Sequence, residues 1–222
     1  KVITYGINKE SNYMAKNITS NNLGHYSYDL YKDNNFLITI NLNINGYHNI
    51  YNSLAAFALA HEYILDVNII KNAIEKYHGV GRRFEYLGKY NGAYIYDDYA
   101  HHPSEIKTTL ESVKSVKHKS SWAVFQSHTY SRTKEHLDAF ADVLANFDHV
   151  IIAKIYPARE INTFNISEEM LVDKIKDKNP NVIYIDDFDK IVEFLKENVK
   201  EEDLVITIGA GPINYVSKKL VD

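Results

Sequence analysis

The sequence predicts an α/β protein whose larger part is built on a mainly parallel β-sheet. From about residue 83 onward, apolar runs rich in Val and Ile alternate with amphipathic segments of about 10–15 residues, a spacing typical of βαβ crossovers. Before that point, strand-like runs come first and helical patterns follow. We therefore predict two regions, 1–82 and 83–222, with a boundary after the Gly79-Val80-Gly81 break.

The first region is predicted to contain four short strands followed by two helices. Its strand-like runs are rich in Ile, Thr, Tyr and Phe, and a polar turn at residues 32–35 predicts a hairpin. Apolar residues three or four apart predict the helices, and Asp66 suits an N-cap. The predicted strands are Val2–Tyr5, Met14–Ile18, Gly24–Tyr31 and Phe36–Leu42, and the predicted helices are Asn49–Ile64 and Asp66–Tyr77.

The second region is predicted to alternate between strands and helices throughout. The predicted strands are Phe84–Tyr90, Ala93–Asp97, Trp122–Gln126, His149–Ile152, Val182–Ile185 and Leu204–Ile208. The predicted helices are Pro103–Val116, Ser131–Asn146, Ser167–Lys178, Asp187–Val199 and Pro212–Leu220. Such an order favours a parallel sheet, in which ligands bind outside the carboxyl ends of the strands.

The composition excludes several classes of protein. The 222 residues include 25 Lys+Arg against 29 Asp+Glu, and a net charge of −4 is unlike a nucleic-acid-binding domain. No apolar run approaches the roughly 20 residues that span a bilayer. Cysteine is absent, which excludes disulfides and thiolate chemistry. We expect a cytoplasmic protein that binds neither membranes nor nucleic acid. Because the chain opens on Lys1 within a strand-like run, we also expect it to be a truncated piece.

Two familiar phosphate-binding motifs are missing from the sequence. The Gly88-Lys89 pair lacks the spacing of a P-loop, which requires G-x-x-x-x-G-K-[ST]. Neither Gly79-Val80-Gly81 nor Gly209-Ala210-Gly211 continues to the third glycine of a dinucleotide-binding turn. Any nucleotide site in this chain must therefore use other groups.

The densest cluster of titratable residues is Asp97–Glu105, between a predicted strand and a predicted helix. Its two leading carboxylates and two imidazoles could hold a metal, bind ribose hydroxyls or relay protons. The alternative is that Asp98 and Ser104 cap local turns while His101 and His102 are solvated.

Two further polar clusters follow the next two predicted strands. In Gln126–Thr133, the start of a helix and Arg132 could bind a carboxylate or phosphate, because arginine offers bidentate geometry. The alternative is capping by Thr129 or Ser131. In Ile155–Glu160, the Arg-Glu pair alone suggests an ordinary solvated ion pair. Three such clusters after three strands suggest one shared site at the sheet edge.

The first region holds two more candidates. Asn49 and Asn52 lie three residues apart, so both carboxamides share one helix face and could read an adenine edge. The alternative is that Asn49 is only an N-cap. At the boundary, Gly81-Arg82-Arg83-Phe84 could place an arginine at a phosphate. The alternative is that its arginines are only surface residues of a domain linker.

Taken in order along the chain, these motifs resemble the Mur ligases. The motifs are Gly46–Ala56, Gly79–Phe84, Asp97–Glu105, Gln126–Thr133, Ile155–Glu160 and Gly209–Gly211. The resemblance covers nearly the whole chain and implies the C-terminal part of a central α/β ATPase domain at 1–82. It implies a complete Rossmann-like C-terminal domain at 83–222.

The resemblance also implies a reaction and a role for each candidate. Within the family, the Asp-Asp-Tyr-Ala-His-His-Pro form, taken together with Gln126–Thr133, Ile155–Glu160 and Gly209–Gly211, is similar to members that join L-alanine to UDP-N-acetylmuramate. In those members ATP phosphorylates the muramoyl carboxylate and the amine then displaces phosphate, a step of peptidoglycan precursor synthesis. The resemblance implies that Asn49 and Asn52 contact adenine, that Arg83 contacts the ATP phosphates and that Asp98 contacts the ribose. It implies that Tyr99, His101 and His102 line the cleft at the acyl phosphate. It also implies that His128 and Arg132 hold the amino-acid carboxylate.

Some family features are missing or altered. The P-loop and the Mg²⁺ ligands of the family would lie upstream of Lys1, so the chain alone is expected to be inactive although the full enzyme uses ATP and Mg²⁺. Ser127, Thr129 and Pro212 depart from the family pattern. The alternatives are a related ligase that attaches a recycled tripeptide to the same UDP-sugar, and a non-catalytic nucleotide- or amino-acid-binding module.

Overall fold

The computed structural model describes residues 2–63 and 65–222, which form two compact units. The first unit extends to Gly79 and includes Lys114–Lys117, and the second comprises Val80–Val113 and His118–Asp222. Lys1 and Ile64, the predicted end of the first helix, lie outside the described residues. In the described part of the chain, no helix is both long and apolar enough to span a membrane.

The first unit has one four-stranded sheet with two helices. Its elements are β1 (Tyr5–Gly6), β2 (Tyr13–Ser20), β3 (His25–Lys32), β4 (Asn35–Asn45), α1 (His48–Glu62) and α2 (Val67–Glu75). The strands follow one another in the order β1-β2-β3-β4, with β1 parallel to β2 and the rest antiparallel. The core of this unit includes the fully buried side chains of Leu30, Ile40, Leu54 and Phe57.

Local sequence signals in the first unit are largely confirmed. Lys32 pairs with Asn35 across a tight turn in which Asp33 and Asn34 have φ values of 47° and 65°. Asp and Asn tolerate this left-handed region better than other side chains, as hairpin turns require. Asp66 caps α2 by accepting from the backbone N–H groups of residues 68 and 69. The predicted bounds Val2–Tyr5 are wrong, because the observed strand is Tyr5–Gly6.

The second unit has a six-stranded, mainly parallel sheet, as predicted. Its strands are β5 (Glu85–Tyr90), β6 (Ala93–Asp98), β7 (Ser121–Phe125), β8 (His149–Ala153), β9 (Val182–Ile185) and β10 (Leu204–Ile208). Its helices are α3 (Pro103–Ser115), α4 (Tyr130–Glu135), α5 (Leu137–Leu144), α6 (Glu168–Lys176), α7 (Phe188–Asn198) and α8 (Asn214–Val221). The strand order is β5-β6-β10-β7-β8-β9, and only the β5–β6 pair is antiparallel.

Strand β10 is the centre of this sheet. All five of its residues are buried, because a central parallel strand is covered on both faces. Apolar residues of α7 and α8, including Leu195 and Val216, pack on one face against Val124 and Val205. The burial of these side chains is what orders the strand ends that carry the polar clusters.

One expectation about the second unit needs correction, and the strand order adds a relation that was not predicted. The predicted helix Ser131–Asn146 is two helices, α4 and α5, because His136 leaves the helical region with φ −113° and ψ 20°. The strands that precede the first two polar clusters, β6 and β7, are not neighbours. Strand β10 lies between them, so the Gly209-Ala210-Gly211 turn emerges between the two clusters.

Candidate functional site

Arg82 and Asp97 form an ion pair at the start of the site. Asp97 is buried, and Arg82 Nε donates to its Oδ2 at 2.8 Å while the hydroxyl of Thr207 donates to Oδ1 at 2.6 Å. Arg82 Nη2 also donates to the carbonyl oxygen of Gly209. Both carboxylate oxygens of Asp97 are thus used internally to join the ends of β6 and β10. Sequence reasoning missed this pair.

Asp98 is buried beside it but has different partners. Ala100 N–H donates to its Oδ1 at 3.0 Å and Thr109 Oγ1 to its Oδ2 at 2.8 Å. Burial raises the pKa of Asp98 above its ordinary value of 3.8, while these two bonds and the charge of Arg83 oppose the rise. The bond to Ala100 is the turn-capping role considered as an alternative. Each oxygen retains a second lone pair for a ligand.

Arg83 is exposed next to the buried pair. Its guanidinium carbon lies 5.6 Å from the ring centroid of Tyr99, and that of Arg82 lies 4.9 Å from the same ring. The exposed Tyr99 ring therefore contacts two cations. Since Arg82 is paired with Asp97, Arg83 is the one of these two arginines that can bind an anion.

His101 and His102 have distinct surroundings. His101 Nδ1 lies 3.0 Å from the carbonyl oxygen of Tyr99, which can only accept, so in the neutral ring the proton resides on Nδ1 and Nε2 carries the lone pair. His102 is exposed, with its Nδ1 at 2.8 Å from the Ser104 hydroxyl. Glu105 accepts from the backbone N–H groups of both histidines, which holds the segment at the start of α3.

His128 and Arg132 face the first cluster. The His128 ring centroid lies 6.0 Å from that of His101, and Arg132 Nη1 approaches His128 Nδ1 at 3.4 Å. Burial lowers the pKa of His128 below 6.5, and the charges of Arg132 and His101 lower it further. His128 is thus a neutral imidazole near pH 7, with its Nδ1 lone pair towards the Arg132 guanidinium.

The loop before α4 is held by the third cluster. Thr129 N–H donates to the Tyr156 carbonyl at 2.8 Å, and Tyr156 N–H donates to the Ser127 carbonyl at 2.9 Å. Glu160 accepts from both the backbone N–H and the hydroxyl of Ser131. Because the Ser131 N–H already donates to Glu160, the hypothesis that the start of the helix binds a ligand anion is wrong for this N–H. Arg132 remains as the candidate anion-binding group.

The three clusters therefore converge, as predicted, on one edge of the second unit. They form a ring row that consists of Tyr99, His101, His128 and Tyr156, with successive ring centroids 5.6, 6.0 and 5.6 Å apart. Arg83 lies at the Tyr99 end and Arg132 lies beside His128. A row of aromatic and imidazole rings flanked by two arginines can bind anionic groups and accept a proton.

Asn49 and Asn52 lie in the first unit and contact each other. Asn52 Nδ2 donates to Asn49 Oδ1 at 2.8 Å, and Asn49 Nδ2 donates to the Asn45 carbonyl at 2.6 Å. The N-cap position of α1 is Tyr47, so the alternative that Asn49 is only an N-cap is not observed. These bonds orient the Asn52 amide and leave its Oδ1 as an acceptor.

Two other features bear on ligand binding. Within residues 2–63 and 65–222, no group of three or more His, Asp or Glu side chains is arranged to hold a metal ion. A cavity of about 590 Å³, missed by sequence reasoning, is lined by Gln126, Tyr156 and the start of α7. The buried Gln126 Oε1 has no hydrogen-bond partner in the described part of the chain.

Comparison with known proteins identifies the family. A family model described as "Mur ligase, glutamate ligase domain" matches residues 82–211, and one described as "Mur ligase middle domain" matches residues 1–60. A UDP-N-acetylmuramate–L-alanine ligase from Caldanaerobacter subterraneus is 46% identical over 221 residues, 100% of this chain and 48% of that protein. The corresponding ligase from Lachnospira eligens is 44% identical over 222 residues and 48% of its length.

A solved structure agrees with this result. The UDP-N-acetylmuramate–alanine ligase of Thermotoga maritima has a TM-score of 0.79 and 25% identity, covering 99% of this chain and 47% of that one. The chain spans about half the length of the curated relatives it matches. Since the glutamate ligase domain model alone matches more than half of the sequence, the chain belongs to the Mur ligase family.

Proposed function

We propose that the chain is part of an ATP-dependent ligase that joins L-alanine to UDP-N-acetylmuramate in peptidoglycan precursor synthesis. The observation that carries the proposal is the His128–Arg132 pair facing His101, in a chain similar over its full length to ligases of that name. In the proposed reaction a carboxylate oxygen takes the γ-phosphoryl group of ATP, and ADP is released. The amine of L-alanine then attacks the carbonyl carbon, and phosphate leaves.

On the amino-acid side, Arg132 is proposed to bind the α-carboxylate of L-alanine. Its guanidinium can donate two parallel hydrogen bonds to one carboxylate. The neighbouring imidazole of His128 is neutral near pH 7, so it does not compete with Arg132 for the anion. Its lone pair instead accepts from Arg132 and restricts the orientation of the guanidinium.

On the nucleotide side, the proposal uses donors and acceptors that the fold leaves available. Asn52 Oδ1 can accept from the exocyclic amine of adenine, because Asn49 already takes its Nδ2. The exposed Arg83 can neutralise phosphate charge. Asp98 can accept from ribose hydroxyls through its remaining lone pairs. Bound Mg²⁺ would supply further phosphate neutralisation, with ligands expected outside this chain.

For the chemical step, His101 is the residue best suited to accept a proton. The amine must lose a proton after it attacks the carbonyl carbon, and the Nε2 lone pair of neutral His101 is a suitable acceptor. The exposed His102 lies next to it in sequence and is proposed to line the same cleft. A cytoplasmic location is part of the same proposal, because the reaction consumes ATP and the chain has no cysteine.

The proposal is tested by assaying the full-length protein for phosphate release with ATP, UDP-N-acetylmuramate and one amine at a time. The amines are L-alanine, glycine, L-serine and a cell-wall tripeptide. Release with L-alanine is expected. Release with tripeptide but not with L-alanine would instead identify the recycling ligase. No release with any amine, together with calorimetric binding of ADP or L-alanine, would identify a non-catalytic binding module.

A further inference from the structure

Thr129 is held in an unusual backbone conformation inside the site. Its φ of 67° and ψ of 148° lie in a region that residues other than glycine rarely adopt, and a β-branched side chain fits it poorly. Such strain persists only where the surrounding structure over-determines the backbone. The position matters because Thr129 separates His128 from the helix that carries Arg132.

Hydrogen bonds restrain both the backbone N–H and the backbone carbonyl of Thr129. On one side, the parallel bridge between His128 and Tyr156 holds its backbone N–H. On the other, Thr133 Oγ1 donates to the Thr129 carbonyl at 2.6 Å. One more restraint acts on the first turn of α4, where Glu160 accepts from both donors of Ser131.

Glu160 differs from the other restraints in being a charged side chain from a distant loop. Its bonds to the Ser131 hydroxyl and backbone N–H lower its pKa, so it remains ionised at neutral pH. An ionised carboxylate bound to the start of a helix has a second consequence. Glu160 uses both donors of Ser131, so Arg132 is the charged group of this segment that can bind a substrate carboxylate.

We propose that Glu160 is a positioning residue, whose carboxylate fixes the first turn of α4 and thereby the placement of Arg132 beside His128. The ligand involved is a small amino acid, so the inference rests on the proposed function. Without Glu160, the strained Thr129 backbone can relax and Arg132 loses its fixed distance to His128. Amino-acid binding then weakens, while nucleotide binding by Asn52 and Arg83 is unaffected.

The test uses the full-length protein with Glu160→Ala, Glu160→Gln and the matched control Arg159→Ala. Arg159 is the adjacent exposed residue, and its removal also changes one charge. With Glu160→Ala we expect the KM for L-alanine to rise at least tenfold, while kcat and the KM for ATP stay within twofold. Glu160→Gln, whose amide oxygen can still accept from the Ser131 hydroxyl, should lie between. Arg159→Ala should match the wild type.

A second readout does not depend on activity. Hydrogen exchange followed by mass spectrometry should be faster in peptides covering residues 129–133 of Glu160→Ala, and unchanged in peptides from β7 and β10. Faster exchange with an unchanged KM for L-alanine would show that Glu160 is only a helix cap, and this would overturn the inference. Unchanged exchange in residues 129–133 would also overturn it. If the wild type shows no turnover with L-alanine, the proposed function fails, and unchanged exchange would separately exclude the role of Glu160.

Discussion

Arg82 and Asp97 are bound to each other, whereas their chain neighbours Arg83 and Asp98 are not paired in this way. Arg82 Nε lies 2.8 Å from Asp97 Oδ2, and the Asp97 side chain is 1% exposed. Arg83 is exposed, and Asp98 accepts from Ala100 and Thr109 instead. In each of the two adjacent pairs, Arg82–Arg83 and Asp97–Asp98, the first residue therefore has a structural role and the second a candidate binding role.

Replacing Arg82 should destabilise the protein strongly. Arg82→Ala leaves Asp97 buried without its charge partner, which costs about 3 kcal/mol in the free energy of unfolding. Arg83→Ala is the matched control and should change stability by less than about 0.5 kcal/mol, since its side chain is exposed. Urea denaturation of both variants measures the difference. Equal destabilisation by the two substitutions would contradict the assignment of roles.

Asp98→Asn should stabilise the protein while weakening nucleotide binding. Because the folded-state pKa of Asp98 is raised above 3.8, its ionised form costs stability at neutral pH and this cost disappears as the pH falls through the folded pKa. The gain in Tm should therefore appear at pH 7 and vanish in acid. Affinity for ADP should fall about tenfold, as when a charged acceptor is lost. A Tm gain that is the same at both pH values would contradict this reasoning.

The pH dependence of stability should reveal His128. Its folded-state pKa lies below 6.5, so between that pKa and 6.5 the unfolded chain binds more protons. Stability contributed by neutral His128 is thus present above pH 6.5 and lost as the pH falls through this window, with a slope of at most ~1.4 kcal/mol per pH unit. Denaturation at several pH values should show a shallower slope in His128→Gln. Identical slopes in variant and wild type would show that His128 titrates normally.

Arg132→Ala should impair use of the amino acid. Loss of a charge-assisted pair worth roughly 1.5–3 kcal/mol raises the KM for L-alanine by about 10- to 150-fold. The KM for ATP should not change, because Arg132 is not among the proposed nucleotide contacts. Steady-state kinetics of the full-length protein, with Arg159→Ala as the control, provide the measurement. An unchanged KM for L-alanine would make Arg132 a surface residue of α4.

Asn52→Ala should weaken ATP binding modestly. A single neutral hydrogen bond contributes about 0.5–1.5 kcal/mol, so affinity should fall about 2- to 12-fold. Asn49→Ala should have a similar effect, because Asn49 orients the Asn52 amide. Asn72→Ala, on the exposed surface of α2, is the control. Calorimetry with ATP would contradict the adenine assignment if Asn52→Ala and the control bind equally.

Elements defined by their own residues could be read from the sequence. The strands Val182–Ile185 and Leu204–Ile208 match their predicted bounds, because their apolar runs are bordered by polar residues on both sides. The cap at Asp66 and the turn at Asp33–Asn34 were also predictable, since each depends on the conformational preference of one or two residues. The polar clusters after β6, β7 and β8 stood out for the same local reason.

Relations between distant residues depended on the tertiary structure. Strand β10, last in sequence, pairs between β6 and β7, and no local pattern specifies which strand a buried run will join. Likewise, Arg82 and Arg83 look equivalent in sequence, and only the position of the buried Asp97 distinguishes them. Glu160 resembled a solvated residue until the fold brought it to Ser131. Periodicity and turn preference act over a few residues, whereas strand order, ion pairing and the role of a charge are decided by packing.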